Sequence, residues 1–178
     1  MRIALIFFLL LIFACSVKTT STSDFFDTKS FFNHEIELLT KQKSGVSKRF
    51  VFINNNDSII LLDSVNWQRE LQVFIDLDLA KPSNQSAFIV SNTEANGLIE
   101  KSYKAIDSAQ ELQTVIITTD NKQNVKIIEA LLTKNNSLYK ASKHLRYVTD
   151  SGYSINGNQQ LKLGNNNTYQ VAATFINN

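Results

Sequence analysis

The chain reads as an α+β domain in which two N-terminal helices, at about 24–43 and 66–80, flank a hairpin. A long antiparallel β-meander follows and is expected to form a curved sheet packed on the helices. Three observations predict this. Both helical windows carry apolar side chains at helical spacing. From about Phe88 onward, short β-branched and aromatic runs alternate with turn residues. Within 138–148, Tyr139, Ala141, Leu145 and Tyr147 alternate with Lys140, Ser142, His144 and Arg146. That alternation describes a strand with one buried face and one wet face.

The first helix has Phe25, Phe32, Ile36 and Leu39 on one stripe, flanked by Phe31 and Leu38. Ser23 or Asp24 can serve as N-cap, and Asp27 suits the first turn. Lys41 and Lys43 suit the C-terminal dipole, with Gly45 as the expected stop. The acidic Asp24, Asp27, Glu35 and Glu37 favour an amphipathic helix packing on a sheet over one lying on a membrane surface.

A hairpin is expected next, from Val46 to Ile53 and Ser58 to Leu62, turning at Asn54–Asp57. The second helix starts from Asn66 as N-cap, with Trp67, Leu71, Phe74 and Ile75 on its apolar side. Pro82, the single proline, sets its end near Ala80, because the residue before proline avoids helical geometry. Eight strands then follow: 87–91, 98–106, 112–119, 125–132, 138–148, 153–156, 160–163 and 168–176. Turns fall at Asp120-Asn121, Asn135-Asn136, Ser151-Gly152, Gly157-Asn158 and Gly164-Asn165.

The first fifteen residues carry an address. Met1 and Arg2 precede an unbroken apolar run from Ile3 to Ala14. A membrane-spanning helix needs about 20 apolar residues. This run of about 12 suits the h-region of an export signal. It ends Ile12-Phe13-Ala14-Cys15, which resembles the lipobox of bacterial lipoproteins. The resemblance implies that Cys15 receives a diacylglyceryl group, that the peptide is cut before it, and that the new amine is acylated, palmitate being a typical chain. Phe13 is bulkier than usual at its position, and the basic n-region is short. Each buried methylene contributes about 0.8 kcal/mol, and two or more chains anchor stably.

The expected organisation is therefore a signal peptide at 1–14, lipidated Cys15 with a polar tether through Ser23, and a single domain at 24–178. The tether Ser16–Ser23 reaches at most ~26–29 Å when extended. A bacterial envelope location follows, most naturally the outer membrane, on the periplasmic face or the cell surface. Cys15 is the only cysteine, so its acylation leaves none for a disulfide.

Removing the signal leaves about 164 residues, the size of one domain. With 43% hydrophobic residues and twelve Phe, some lost with the signal, the chain has material for a sizeable core. The formal charge is +2, falling to about +1 with loss of Arg2. So near neutrality, neither nucleic acid nor an acidic lipid surface is the expected partner.

Several local patterns resemble a group of small bacterial lipoproteins to which no activity attaches. They are the lipobox and short tether, the aromatic first helix from Phe25-Phe26-Asp27 to Phe31-Phe32, and the Trp-led helix Asn66-Trp67-Gln68-Arg69-Glu70-Leu71. To these are added the turn from Asp78 to Pro82, Leu138-Tyr139 and Gly152-Tyr153-Ser154-Ile155. The resemblance covers most of the mature chain through short motifs, and it implies a shared fold and address.

Chemistry is sparse. The only histidines, His34 and His144, fall on predicted polar faces, and no Gly-x-Ser-x-Gly elbow is present. Five glycines include no phosphate-binding loop. Asp76 and Asp78 are two apart on a helix, on different sides, so they do not chelate together; a pairing with Arg69 or Lys81, or a cap on the next turn, is expected. No catalytic, metal-binding or cofactor-binding residue is assigned, and the protein is read as no enzyme. Cys15 is the one residue given a specific role.

Trp67, Tyr103 and Tyr153 are candidate aromatic platforms for carbohydrate, although Trp67 at a helix start more often anchors a core. Asp57-Ser58-Ile59, Asp63-Ser64-Val65 and Asp107-Ser108-Ala109 weakly resemble sites of periplasmic O-glycosylation. The expected function is a non-catalytic envelope lipoprotein that binds a protein or surface polymer. The alternatives are a lipid or lipoprotein handler with an apolar half-barrel cavity, and an inhibitor or immunity-type envelope protein.

Overall fold

The computed structural model describes residues 25–52 and 57–176. The signal, Cys15, the tether, the caps at Ser23 and Asp24 and the turn at Asn54–Asn56 lie outside the described residues.

The expected α+β architecture is present. Helix α1 (Thr28–Lys41) leads into strands β1 (Gly45–Phe52) and β2 (Asp57–Leu62). Two short helices, α2 (Trp67–Glu70) and α3 (Gln72–Ile75), and a 3-10 turn (Pro82–Asn84) follow. The meander comprises β3 (Phe88–Ala95), β4 (Leu98–Ala105), β5 (Leu112–Asp120), β6 (Val125–Asn135), β7 (Tyr139–Val148), β8 (Gly152–Leu161) and β9 (Asn167–Ile176). All nine strands among the described residues join one antiparallel sheet in the order β2-β1-β9-β8-β7-β6-β5-β4-β3. The last strand thus returns to pair with the first, and β2 and β3 are left as the two edges. Register shifts at Leu112/Thr114 and Thr118/Thr119 in the β5–β6 pair add local twist to the sheet.

Helix α1 starts later than its apolar stripe suggested. Asp27 is the N-cap, accepting from the Ser30 backbone N–H at 2.8 Å and from the Ser30 hydroxyl at 2.7 Å. Those bonds hold the Asp27 carboxyl below its ordinary range. Phe25 and Phe26 precede the helix as a lead-in, where Phe26 N–H donates to the Tyr103 hydroxyl at 3.0 Å. At the other end, Lys43 takes the left-handed conformation (φ 52°) while Ser44 N–H returns to Leu39. Gly45 is therefore the first residue of β1 and not the helix stop.

The second helix is also not continuous. It breaks at Leu71 and ends at Ile75, well short of Ala80. Leu71, Phe74, Ile75, Leu77 and Leu79 are all buried. The last three are spaced by two, so a straight helix would turn Leu77 away from the sheet. The chain unwinds instead, with Asp78 at φ 33°.

The meander holds one strand fewer than expected, because Gly157-Asn158 is no turn. Residues 153–156 and 160–163 belong to the single strand β8, paired to β7 throughout. A Cβ on Gly157 would lie 2.2 Å from the Tyr169 ring, so the glycine is there to let that ring lie on the β8 backbone.

The helices cover one face of the sheet, which we call the inner face. Phe32 of α1 stacks on Phe74 of α3 (centroids 5.1 Å apart), and its edge meets Tyr147 of β7 at 5.0 Å. Phe74 reaches Tyr153 of β8, and Trp67 of α2 meets Phe175 of β9 at 5.2 Å. Such pairs each add about 0.5–1.5 kcal/mol beyond simple burial. The strand predicted most clearly, β7, divides as expected: Leu145 and Tyr147 are buried, while Lys140, Ser142 and His144 are exposed.

Candidate functional site

Among the described residues, the polar groups beneath the helices are engaged with one another. Tyr147 and Tyr153 face each other across the β7–β8 hairpin. The Tyr147 hydroxyl donates to Glu35 of α1 at 2.5 Å, and the Tyr153 hydroxyl donates to Glu70 of α2. Each helix is thereby tied to the same hairpin. Lys48 of β1 completes the second pair, with its Nζ 2.6 Å from Glu70 Oε2. Burial, ahead of the Tyr147 bond that opposes it, raises the Glu35 carboxyl above its ordinary value. Burial and the neighbouring carboxylates raise both tyrosine hydroxyls. No buried side-chain polar atom among the described residues lacks a hydrogen-bond partner. These groups read as ties between helix and sheet.

The residues singled out for chemistry do not converge. His34 lies on the exposed side of α1, and His144 sits on the outer face of β7, 3.9 Å from Glu129. Asp76 accepts from Gln72 Nε2 at 2.8 Å in place of the expected basic partner, and the Asp78 carbonyl accepts from Lys81 N–H and from Asn84. No group of three or more potential metal ligands occurs among the described residues. Trp67, Tyr103 and Tyr153 are buried, so none offers a ring face to a sugar. Of the three Asp-Ser-apolar segments, the first lies on the exposed strand β2, the second just after it and the third in the β4–β5 connection.

The clefts are open, with linings that mix polar and apolar side chains. One of about 540 Å³ lies among Lys29, Gln72, Asp76, Asp78 and Glu111. Another of about 470 Å³ lies beside Phe25, Phe26, Ile99 and Lys101. A third, of about 200 Å³, is flanked by Tyr139, Lys143, Gln159 and Tyr169.

What stands out is the edge strand β2. Ile59, Ile60, Leu61 and Leu62 follow one another, exposed by 68, 45, 67 and 36%. The register places Ile60 and Leu62 beside Lys48 and Val46 on the inner face, and Ile59 and Leu61 beside Arg49 and Ser47 on the outer face. The strand is thus apolar on both faces. Natural sheet edges are commonly blunted by lysine, proline or a bulge. Between Asp57 and Asp63 this one has no charge and no proline, and its pairing with β1 is unbroken. At its start Asp57 accepts from Arg49 Nη2 at 2.6 Å, an exposed clamp that holds the Asp57 carboxyl low. The four aliphatic side chains expose on the order of 400 Å², as much as the largest apolar patch of a typical monomer.

Sequence reasoning placed β2 as a strand but missed its exposure. An uninterrupted apolar run ordinarily signals a strand covered on both faces. That signal was present in Ile59–Leu62, and it is met here by a strand covered on neither. Compared with known protein families, curated proteins and solved structures, the chain gives no match.

Proposed function

We propose that this protein is a non-catalytic envelope lipoprotein, anchored through acyl chains on Cys15, that works by docking another protein strand onto β2. One observation carries the docking reading: four consecutive aliphatic residues are exposed on a strand that, among the described residues, has a ladder neighbour on one side only. Adding a strand there would extend the ladder and cover the side of the apolar residues that faces the added strand. The address rests on the apolar run ending at Ala14-Cys15. A lipid-handling role draws less support, because Phe32, Phe74, Tyr147 and Leu145 fill the space between helices and sheet.

Two measurements test the reading separately. Labelled palmitate should enter the native chain and not Cys15→Ser; equal labelling of both would remove the anchor. A photoreactive side chain at Leu61 should yield a discrete protein adduct in intact cells, whereas one at Ile89 on the opposite edge should not. Adducts to lipid alone, or none at Leu61, would remove the docking role.

A further inference from the structure

We infer that the strand docked on β2 is the β2 of a second copy, paired antiparallel about a twofold axis at Ile60. The inference rests on the docking reading above and names its partner.

The argument begins with symmetry. Two copies of one edge strand that pair antiparallel form an isologous contact, which closes at two chains. A closed pair needs its axis normal to the sheet, so the two inner faces lie on the same side. One residue must then oppose its own counterpart. That requirement leaves few registers, and the residues of β2 discriminate among them.

Centred on Ile60, the pairing sets Ile59 opposite Leu61, Ile60 opposite Ile60, and Leu62 opposite Ser58. Centred on Leu61, it would press Ile59 against Asp63; centred on Ile59, it would press Leu61 against Asp57. Only the Ile60 register keeps every carboxylate away from an aliphatic partner. It does place Asp57 opposite Asp63 at both ends, where the Arg49 guanidinium already sits against Asp57 and supplies opposing charge.

Area suits a small, reversible contact: the four aliphatic residues of two copies expose about 800 Å² together, and edge pairing covers the part that faces the partner strand, the size of a weak interface and not of an obligate one. The product is one continuous sheet of eighteen strands, with the helices of both copies on one side. The β3 edges become the ends of the assembly.

Single-cysteine cross-linking reads the register directly. In the full chain carrying Cys15→Ser, kept in detergent, Ile60→Cys places two Cβ atoms about 4.5–5.5 Å apart across the axis. Mild oxidation should give a disulfide-linked dimer at position 60, while Ile89→Cys should stay monomeric. Sedimentation equilibrium of the Cys15→Ser chain should show a dimer, and adding Leu61→Lys should weaken it at least about tenfold. A monomer at every concentration, or equal cross-linking at positions 60 and 89, would overturn the homodimer. Should photo-cross-linking at Leu61 in cells capture only a different polypeptide, the homodimer fails and the docking role stands. Should it capture no protein, both fail.

Discussion

The two edges of this sheet are finished in opposite ways. β3 begins with Phe88 buried against the core and carries a single strongly exposed large aliphatic residue, Ile89, before Ser91, Asn92, Thr93 and Glu94 make its outer reach polar. β2 carries Ile59 to Leu62 in water and is flanked by carboxylates only at its ends. Both edges keep an unbroken pairing with their inner neighbour, β4 for one and β1 for the other. The contrast teaches that apolar content does not decide whether a strand is core or exposed edge. Its place in the sheet, and what lies over it, decide that.

If the comparison is right, the largest effect on folding should come from the anchored edge. Phe88→Ala should cost about 3–5 kcal/mol in denaturant unfolding, because a large buried ring leaves a cavity. A loss below 1 kcal/mol would mean that β3 is not held by the core.

Next come the polar ties beneath the helices. Tyr147→Phe removes the hydroxyl that serves buried Glu35 and should cost about 1–3 kcal/mol. The pH dependence has a definite sign. Burial raises the Glu35 carboxyl, so the folded chain holds that proton more tightly than the unfolded one. The stability this contributes is fully present below the ordinary value of 4.5 and is lost as pH rises through the raised value. Glu35→Gln should therefore flatten stability against pH in that window and match or exceed the parent at pH 7. A variant weaker than the parent at pH 7, and equal to it at pH 4, would reverse the assignment.

At the open edge the same kinds of change should barely touch the fold. Leu61→Lys should leave the unfolding of the isolated chain within about 0.5 kcal/mol of the parent while removing association. Smallest of all is Arg49→Ala. The Arg49–Asp57 clamp is exposed and screened by ions, so any shift in the unfolding midpoint should disappear at high salt.

Much of the fold was legible because it depends on local periodicity. The wet and dry sides of β7 follow from alternation alone, and the aromatic stripe of α1 from helical spacing. Misreadings occurred where a residue serves a distant neighbour. Gly157 looks like a turn and is a seat for the Tyr169 ring. Gly45 looks like a helix stop, but Lys43 takes the left-handed position. The second helix ends early because Leu77 and Leu79 must both reach the core, a demand that comes from the sheet. Of the candidate site, the apolar run Ile59–Leu62 was visible, and its exposure was not.

By itself, the sequence determined the α+β class, the succession of helix, hairpin, second helical segment and meander, and which face of β7 is apolar. These follow from the repeat of each element, which is written residue by residue. Only the tertiary structure decided that β9 returns to pair with β1 and that β2 is therefore left outside as an edge. Strand order is set by contacts between residues more than a hundred positions apart, and no local period encodes them. The candidate docking strand is thus a product of topology: the same four residues placed one strand further in would have had a ladder neighbour on both sides.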